Sequence, residues 1–269
     1  MSDAGIALVV GLLGLAVGSF LNVCIHRLPR GESVVAPPSH CPACRAPISW
    51  YDNVPVVGYL ALGGRCRACR APISPVYPLV ETVTAGLFLA QLQVLGLQPL
   101  LVPRLLFTAA MIVLFVVDLR HHVLPNAITL PGVAVGLTCS VGLEPGWRDA
   151  LLGVLGGGGL LLAIAQVYAR IRGREGLGMG DVKMLAMIGG FLGWRLAFVT
   201  LAWASLAGAA AGVAMMRFAG VGWRHPLPLG SFLAVAAVAA SVAGEPFLDW
   251  YFAAAGRLLG QLLGMPGAP

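Results

Sequence analysis

Charge is what this chain has least of. Only 10% of its 269 residues are Asp, Glu, Lys or Arg, 58% are hydrophobic, and the mean hydropathy is +0.87. Soluble domains carry about 25% charged residues, so a soluble globule is excluded. The opening MSDAG lacks the basic start of a secretory signal peptide, and the apolar run behind it continues to a basic flank. It is therefore read as a retained membrane span. No segment interleaves basic and aromatic residues into a groove for nucleic acid, so the +6 net charge needs another explanation. The glycine run at residues 156–159 lacks the Lys-Ser or Lys-Thr that completes a phosphate cradle. It falls in mid-span, where small residues let helices pack closely.

What the chain has instead is apolar runs. A span needs about 20 apolar residues, and eight can be drawn: near 5–25, 78–97, 100–118, 127–143, 150–169, 182–195, 196–216 and 229–244, the sixth being short. The fold class that follows is all-α, a polytopic transmembrane helix bundle. With the N-terminus outside, all of the 17 basic residues except Arg104, Arg148, Arg195 and Arg257 fall on inner loops or inner helix ends. The positive-inside rule thus selects an N-out, C-out arrangement and accounts for the net charge. Four segments follow: a first span at 1–25, a cytoplasmic cysteine-rich loop at 26–77, the main bundle at 78–250 and a C-terminal tail at 251–269.

The inner loop holds four of the six cysteines, and CPACRAPIS is nearly repeated as CRACRAPIS. Cys41 and Cys44, then Cys66 and Cys69, form two CxxC pairs separated by 21 residues. Each pair can present two thiolates from a tight turn, and two turns complete a tetrahedral zinc site. Disulfides are disfavoured in a reducing cytosol, and a redox pair has no use for a duplicate. A loop this small buries little core, so the metal would supply folding free energy. Cys24 and Cys139 lie in apolar runs and read as packed small residues.

Two carboxylates stand apart from the ordinary interfacial charges Glu144, Asp149, Glu245 and Asp249. Asp118 closes the third span in FVVDLRHHVLPN, and Asp181 opens the sixth in GLGMGDVK. The topology gives them one depth and one side. Carboxylates there are costly and mark a function or a paired site. Two brought together do not easily both ionise, the condition under which an aspartic protease lets one activate water and the other donate a proton. The glycines of GLGMGD would let backbone approach a peptide closely. Depth alone does not separate such a pair from two unrelated interfacial aspartates. Glu81, early in the second span, reads equally as an arginine's partner or as a working carboxylate. His121 and His122 read as a solvated helix end.

Five ordered blocks carry a resemblance: GSFLNVCIHRLP, the double-CxxC stretch from Ser39 to Ala85, VVDLRHHVLPNAITLP, GLGMGDVKMLAMIGGFLGW and PLPLGSFLA. Together, over most of residues 18–233, they resemble the bacterial prepilin peptidases, the type IV leader peptidases of pilus and type II secretion systems. The resemblance implies an inner-membrane aspartic endopeptidase that removes the short basic leader of prepilins and pseudopilins, after a glycine, on the cytoplasmic side. It also implies S-adenosylmethionine-dependent methylation of the new N-terminus, placed with the cysteine loop. The family's catalytic aspartates fall on Asp118 and Asp181 and its four cysteines on Cys41, Cys44, Cys66 and Cys69. Two departures are visible: VLPN places Asn126 where many relatives have LLPD, and PLGSF replaces the more usual PFGPF.

A prepilin's charged leader precedes an apolar helix, so its scissile bond rests at the inner interface, where both aspartates lie. The inner basic residues suit anionic membrane lipids better than a basic leader. A proton-coupled transporter would use the aspartates but not the cysteines. A noncatalytic zinc-loop assembly factor would use the cysteines but not the aspartates. Ser205, in WASLAG, has no evident histidine partner for a serine protease. No glycine-rich turn in residues 26–77 identifies the methyl donor's binding residues.

Overall fold

The computed structural model describes residues 2–173, 178–218 and 227–262. Arg174, Gly176, Leu177, Arg224 and the last seven positions of the expected tail lie outside the described residues. Among the described residues nine α-helices follow in order: α1 (Asp3–Arg27), α2 (Val57–Ala61), α3 (Val76–Leu95), α4 (Leu101–His121), α5 (Asn126–Cys139), α6 (Trp147–Gly153), α7 (Gly159–Arg172), α8 (Met179–Phe218) and α9 (Leu229–Leu262). A π-helical turn, Val154–Gly158, joins α6 to α7 into one rod. Among the described residues there are no named strands, only two isolated bridges in the cysteine-rich loop, His40 with Pro47 and Arg65 with Pro72. The all-α membrane bundle read from hydropathy is the architecture found.

Six of these helical stretches are long and apolar enough to cross a membrane, and α5 is a shorter apolar helix. Helix α8 has 40 residues, about 60 Å at 1.5 Å per residue, twice the roughly 30 Å hydrocarbon core. It breaks at Gly193, whose φ of 79° and ψ of 171° are not helical. A side chain on Gly193 would stand 2.9 Å from Pro145 Cβ and close to Asp149, so the break lies against the α5–α6 connection.

Contacts on either side show that α8 doubles back there. In its first half, Gly180 packs on Leu124 and Gly190 near Gly136, so residues 179–192 run parallel to α5. In its second half, Gly212 faces Leu227, Gly208 faces Phe232 and Leu196 faces Gly244, so residues 194–218 run antiparallel to α9. Helix α9 is in turn antiparallel to α4, through Ser231 with Asp118 and through a buried hydrogen-bond cluster in which Gln91 Nε2 donates to both Thr108 and Ser241. With the halves of α8 counted separately and α5 included, eight apolar helical segments occupy the eight stretches read as spans. Residues 251–262 of the expected tail continue α9 as helix.

Two apolar clusters build the interior. One joins α1, α3 and α4 around Phe88, Val113 and Val117. The other gathers α4, α8 and α9 around Phe107, Met184, Ile188 and Leu233. Helix α4 belongs to both, and its C-terminal end carries Asp118. Of the glycine run 156–159, Gly157 and Gly158 pack closely, a Cβ on them standing 3.2 Å from Leu185 Cγ and 2.9 Å from Ala186 Cβ, while Gly159 meets nothing; the tightest backbone approach is at Gly153, where a Cβ would stand 2.5 Å from Gly189 O.

Candidate functional site

Three helix ends meet around the two aspartates. Asp118 lies in the last turn of α4, which His122 closes in the left-handed conformation with its N–H on the Asp118 carbonyl at 2.9 Å. Asp181 lies in the first turn of α8, where a negative charge is favoured by the helix's exposed N–H groups. The first turn of α9 completes the site with Gly230 and Ser231. Asp118 is 5% exposed. Its Oδ2 accepts hydrogen bonds from the Ser231 amide at 2.6 Å and the Ser231 hydroxyl at 3.0 Å.

The turns that carry Asp118 and Asp181 share a neighbour in Leu124. Leu124 is packed between their supporting turns: side chains on Gly180 and Gly230 would meet it at 2.9 and 3.0 Å. Gly230 would also crowd Asp118 Cγ at 3.0 Å, and Gly178 would approach Asp181 Oδ2 at 3.3 Å. Glycine at these three positions thus lets the turns approach Leu124 and the two carboxylates without a clash. Asn126, the departure from LLPD, accepts a hydrogen bond from Lys183 Nζ at 2.9 Å. That bond ties the start of α5 to the start of α8, two residues beyond Asp181. Sequence reasoning missed Ser231 and Lys183; the unusual PLGSF and VLPN were the only signals that pointed to either.

The four loop cysteines converge as the spacing predicts. Their Sγ atoms all lie within 4.8 Å of one another, and Cys41 Sγ to Cys69 Sγ is 3.8 Å. Tetrahedral zinc with Zn–S near 2.3 Å requires thiolates about 3.8 Å apart, so the donor set fits that ion. The two knuckles match bond for bond. Cys41 N–H donates to Ala46 O and Arg45 N–H to Cys41 O; Cys66 N–H donates to Ala71 O and Arg70 N–H to Cys66 O. Arg45 and Arg70 take φ of 60° and 61° at equivalent positions.

Backbone N–H groups of Cys44 and Ala43 hold the Cys41 thiol down at about 6. Cys69 is pushed up to about 11: the Ala71 N–H pulls the other way, but interaction with Cys44, burial and the remaining two sulfurs outweigh it. One sulfur thus carries the cluster's charge most readily. Arg67 grips Asp52 with two hydrogen bonds, 2.8 and 2.6 Å, and holds its carboxyl below the usual range. This pair fastens the second knuckle to the short Trp50–Asn53 helix.

Between the knuckles, the C-terminal end of α1 and the start of α3 lies a cavity of ≈ 690 Å³. Glu81, 7% exposed, lines it and accepts the Val56 N–H on Oε2 at 2.7 Å. Its partner is therefore a backbone amide and not the arginine considered from the sequence. Asn22, His26, Tyr59 and Tyr77 share the lining. His121 and His122 are exposed at the end of α4, as the sequence suggested.

Two family models match the chain: "Bacterial Peptidase A24 N-terminal domain" over residues 12–94 and "Type IV leader peptidase family" over residues 105–213. Among similar proteins, a prepilin leader peptidase/N-methyltransferase of Myxococcus xanthus is 41% identical over 211 residues, 78% of this chain and 63% of that protein. One of Pseudomonas aeruginosa is 36% identical, covering 91% of this chain and 93% of its own length. One of Aeromonas hydrophila is 35% identical, covering 90% and 92%. No solved structure matches the chain.

Proposed function

This chain belongs to the type IV leader peptidase family, and from that premise we propose that it is a membrane aspartic endopeptidase cleaving the leader from prepilins and pseudopilins at the cytoplasmic face. The observation that carries this reading is the convergence on Leu124 of the helix ends that carry a buried Asp118 and Asp181. Neither rival gains a comparable observation: a transporter leaves the cysteine knuckles without a role, and an assembly factor leaves the paired carboxylates without one.

In the proposed reaction one aspartate accepts a proton from water as the water oxygen bonds to the scissile carbonyl carbon. The other donates its proton to the carbonyl oxygen. Collapse of the tetrahedral species breaks the C–N bond: the first aspartate passes its proton to the departing amine, and the second takes back a proton from a hydroxyl of the tetrahedral carbon as the acid's carbonyl re-forms. Atoms balance as peptide plus water giving an acid and an amine, and the pair ends as it began. The substrate's apolar helix stays in the bilayer while its charged leader stays in water, so no charge crosses lipid.

Zinc at Cys41, Cys44, Cys66 and Cys69 is structural in this reading: four thiolates fill a tetrahedral shell and leave no open position for chemistry. The second activity is methylation of the amine released by cleavage. S-adenosylmethionine supplies the methyl group when bound. The cavity beside the knuckles fits a molecule of that size, since pockets for drug-sized ligands run about 300–1,000 Å³. Glu81 would face the donor's positive charge with the oxygen not used by Val56, and Tyr59 and Tyr77 would offer aromatic faces. The knuckles form one wall of this cavity, which makes its shape depend on zinc.

The test is direct. Purified protein is incubated with a prepilin, with and without S-adenosylmethionine, and the product's N-terminus is read by mass spectrometry. Leader loss in both samples, with an added methyl only when the donor is present, is the expected result. An intact prepilin in both would overturn the peptidase reading.

A further inference from the structure

Asp118 is held by a residue that the reaction above does not use. Ser231, 4% exposed, brings its amide and its hydroxyl to the same carboxylate oxygen from 113 positions away in the chain. The hydroxyl's alternative acceptor is the Phe115 carbonyl at 3.3 Å. A hydroxyl has one proton to give, and the 3.0 Å bond to a carboxylate is the stronger claim on it. Because Gly230 lacks a side chain, the first turn of α9 lies backbone-first against the carboxylate. The motif this stretch resembles has proline at the position of Ser231. Proline has neither an N–H nor a hydroxyl to donate, so PLGSF supplies two donors where PFGPF supplies none.

We propose that Ser231 is the positioning residue of Asp118: it pins Oδ2, turns Oδ1 to the reacting water, and so makes Asp118 the proton acceptor of the pair and Asp181 the donor. This rests on the reading of the two aspartates as a peptidase pair. An oxygen that already accepts two hydrogen bonds cannot carry a proton without setting hydrogen against hydrogen. The proton taken from water therefore goes to Oδ1. Asp181 is approached differently: Gly178 leaves space beside its Oδ2, where a substrate carbonyl can receive a proton. Fixing one rotamer of a buried carboxylate matters because reacting atoms must meet within about 3–3.5 Å.

Steady-state cleavage of a prepilin by the full-length protein, together with thermal melting, tests this with wild type, Ser231→Ala, Ser231→Thr, Ser231→Pro and Asp118→Asn. Ser231→Ala keeps the amide and loses the hydroxyl. Its kcat should fall roughly tenfold, with KM changed by less than about twofold and melting unaltered, the pattern of an interaction made in the transition state. Ser231→Thr keeps the hydroxyl and should recover most of kcat. Ser231→Pro removes both donors and should lose more than Ser231→Ala, although proline is tolerated in a first helical turn. Wild-type kcat in Ser231→Ala beside an inactive Asp118→Asn would overturn the role of Ser231 and leave the peptidase reading intact. Equal losses in the Ala and Thr variants would overturn it too, because packing and not the hydroxyl would then be the cause. Cleavage by Asp118→Asn would overturn the peptidase reading on which the proposal rests.

Discussion

Asn126 shows how much a single missing carboxylate constrains the site. With Asn there, Lys183 is answered by a neutral carbonyl oxygen at 2.9 Å, and the carboxylates at the three converging helix ends are Asp118 and Asp181. Asn126→Asp keeps the shape and adds a charge opposite Lys183. Because the contact is exposed, the pair should add no more than about 1 kcal/mol. The expected outcome is a small rise in melting temperature with cleavage retained; loss of cleavage would mean that the neutral side chain itself serves the reaction. The roles of single residues were only partly legible in the sequence. Asp118 and Asp181 could be found because charge is expensive in an apolar run. Ser231 could not, because a serine in an apolar helix costs little and its partner lies on another helix. Glu81 could be suspected, but its acceptor role toward Val56 depends on a turn that no local pattern encodes.

Among elements, the glycine-rich rod of α6, the π-turn and α7 gives a sharp contrast. A Cβ on Gly153 would stand 2.5 Å from the Gly189 carbonyl oxygen, whereas one on Gly159 meets nothing within 4 Å. Gly153→Ala should therefore destabilise the protein by about 1–3 kcal/mol, the range for overpacking. Gly159→Ala should leave melting unchanged or raise it, by up to about 1 kcal/mol from helix propensity. Equal melting of the two variants would contradict the packing described.

The cysteine loop gives the pH-dependent prediction. Zinc binds thiolates, so binding displaces whatever protons the sulfurs hold. Cys41, held at about 6, is largely ionised near neutrality, while Cys69, pushed up to about 11, keeps its proton until metal takes its place. Apparent zinc affinity should climb between about pH 6 and pH 8, measured by competition with a chelator. A flat profile would contradict thiolate ligation. Replacing Cys41 and Cys44 by Ser should release one zinc per chain, loosen residues 26–77 and abolish methylation of a supplied, already cleaved pilin. Asp181→Asn should still methylate that pilin, since methyl transfer does not need the aspartate pair. The knuckles were fully legible because their repeat and spacing are local; the cavity they wall was not, because α1 and α3 supply its other side.

For the whole molecule, hydropathy located the eight apolar segments, and basic residues gave their expected orientation. Drawing 182–195 and 196–216 as separate spans already placed a reversal inside α8; what hydropathy could not supply was its cause, one glycine with φ of 79° packed against the α5–α6 connection. That reversal returns the chain to the side of Asp181 and lets α9 begin beside Asp118, so the site exists only once all three turns are in place. Reporter fusions after residues 122 and 145 should report opposite sides of the membrane, with 122 cytoplasmic; the same side for both would break the topology. The central claim is that Asp118 and Asp181 act as one catalytic unit. Its most direct measurement is single-turnover cleavage of a prepilin by Asp118→Asn, Asp181→Asn and the double variant, each shown to be inserted and to melt like wild type. Groups that act together lose nearly everything when either is removed, so all three should be equally inactive. Appreciable cleavage by either single variant would contradict the account.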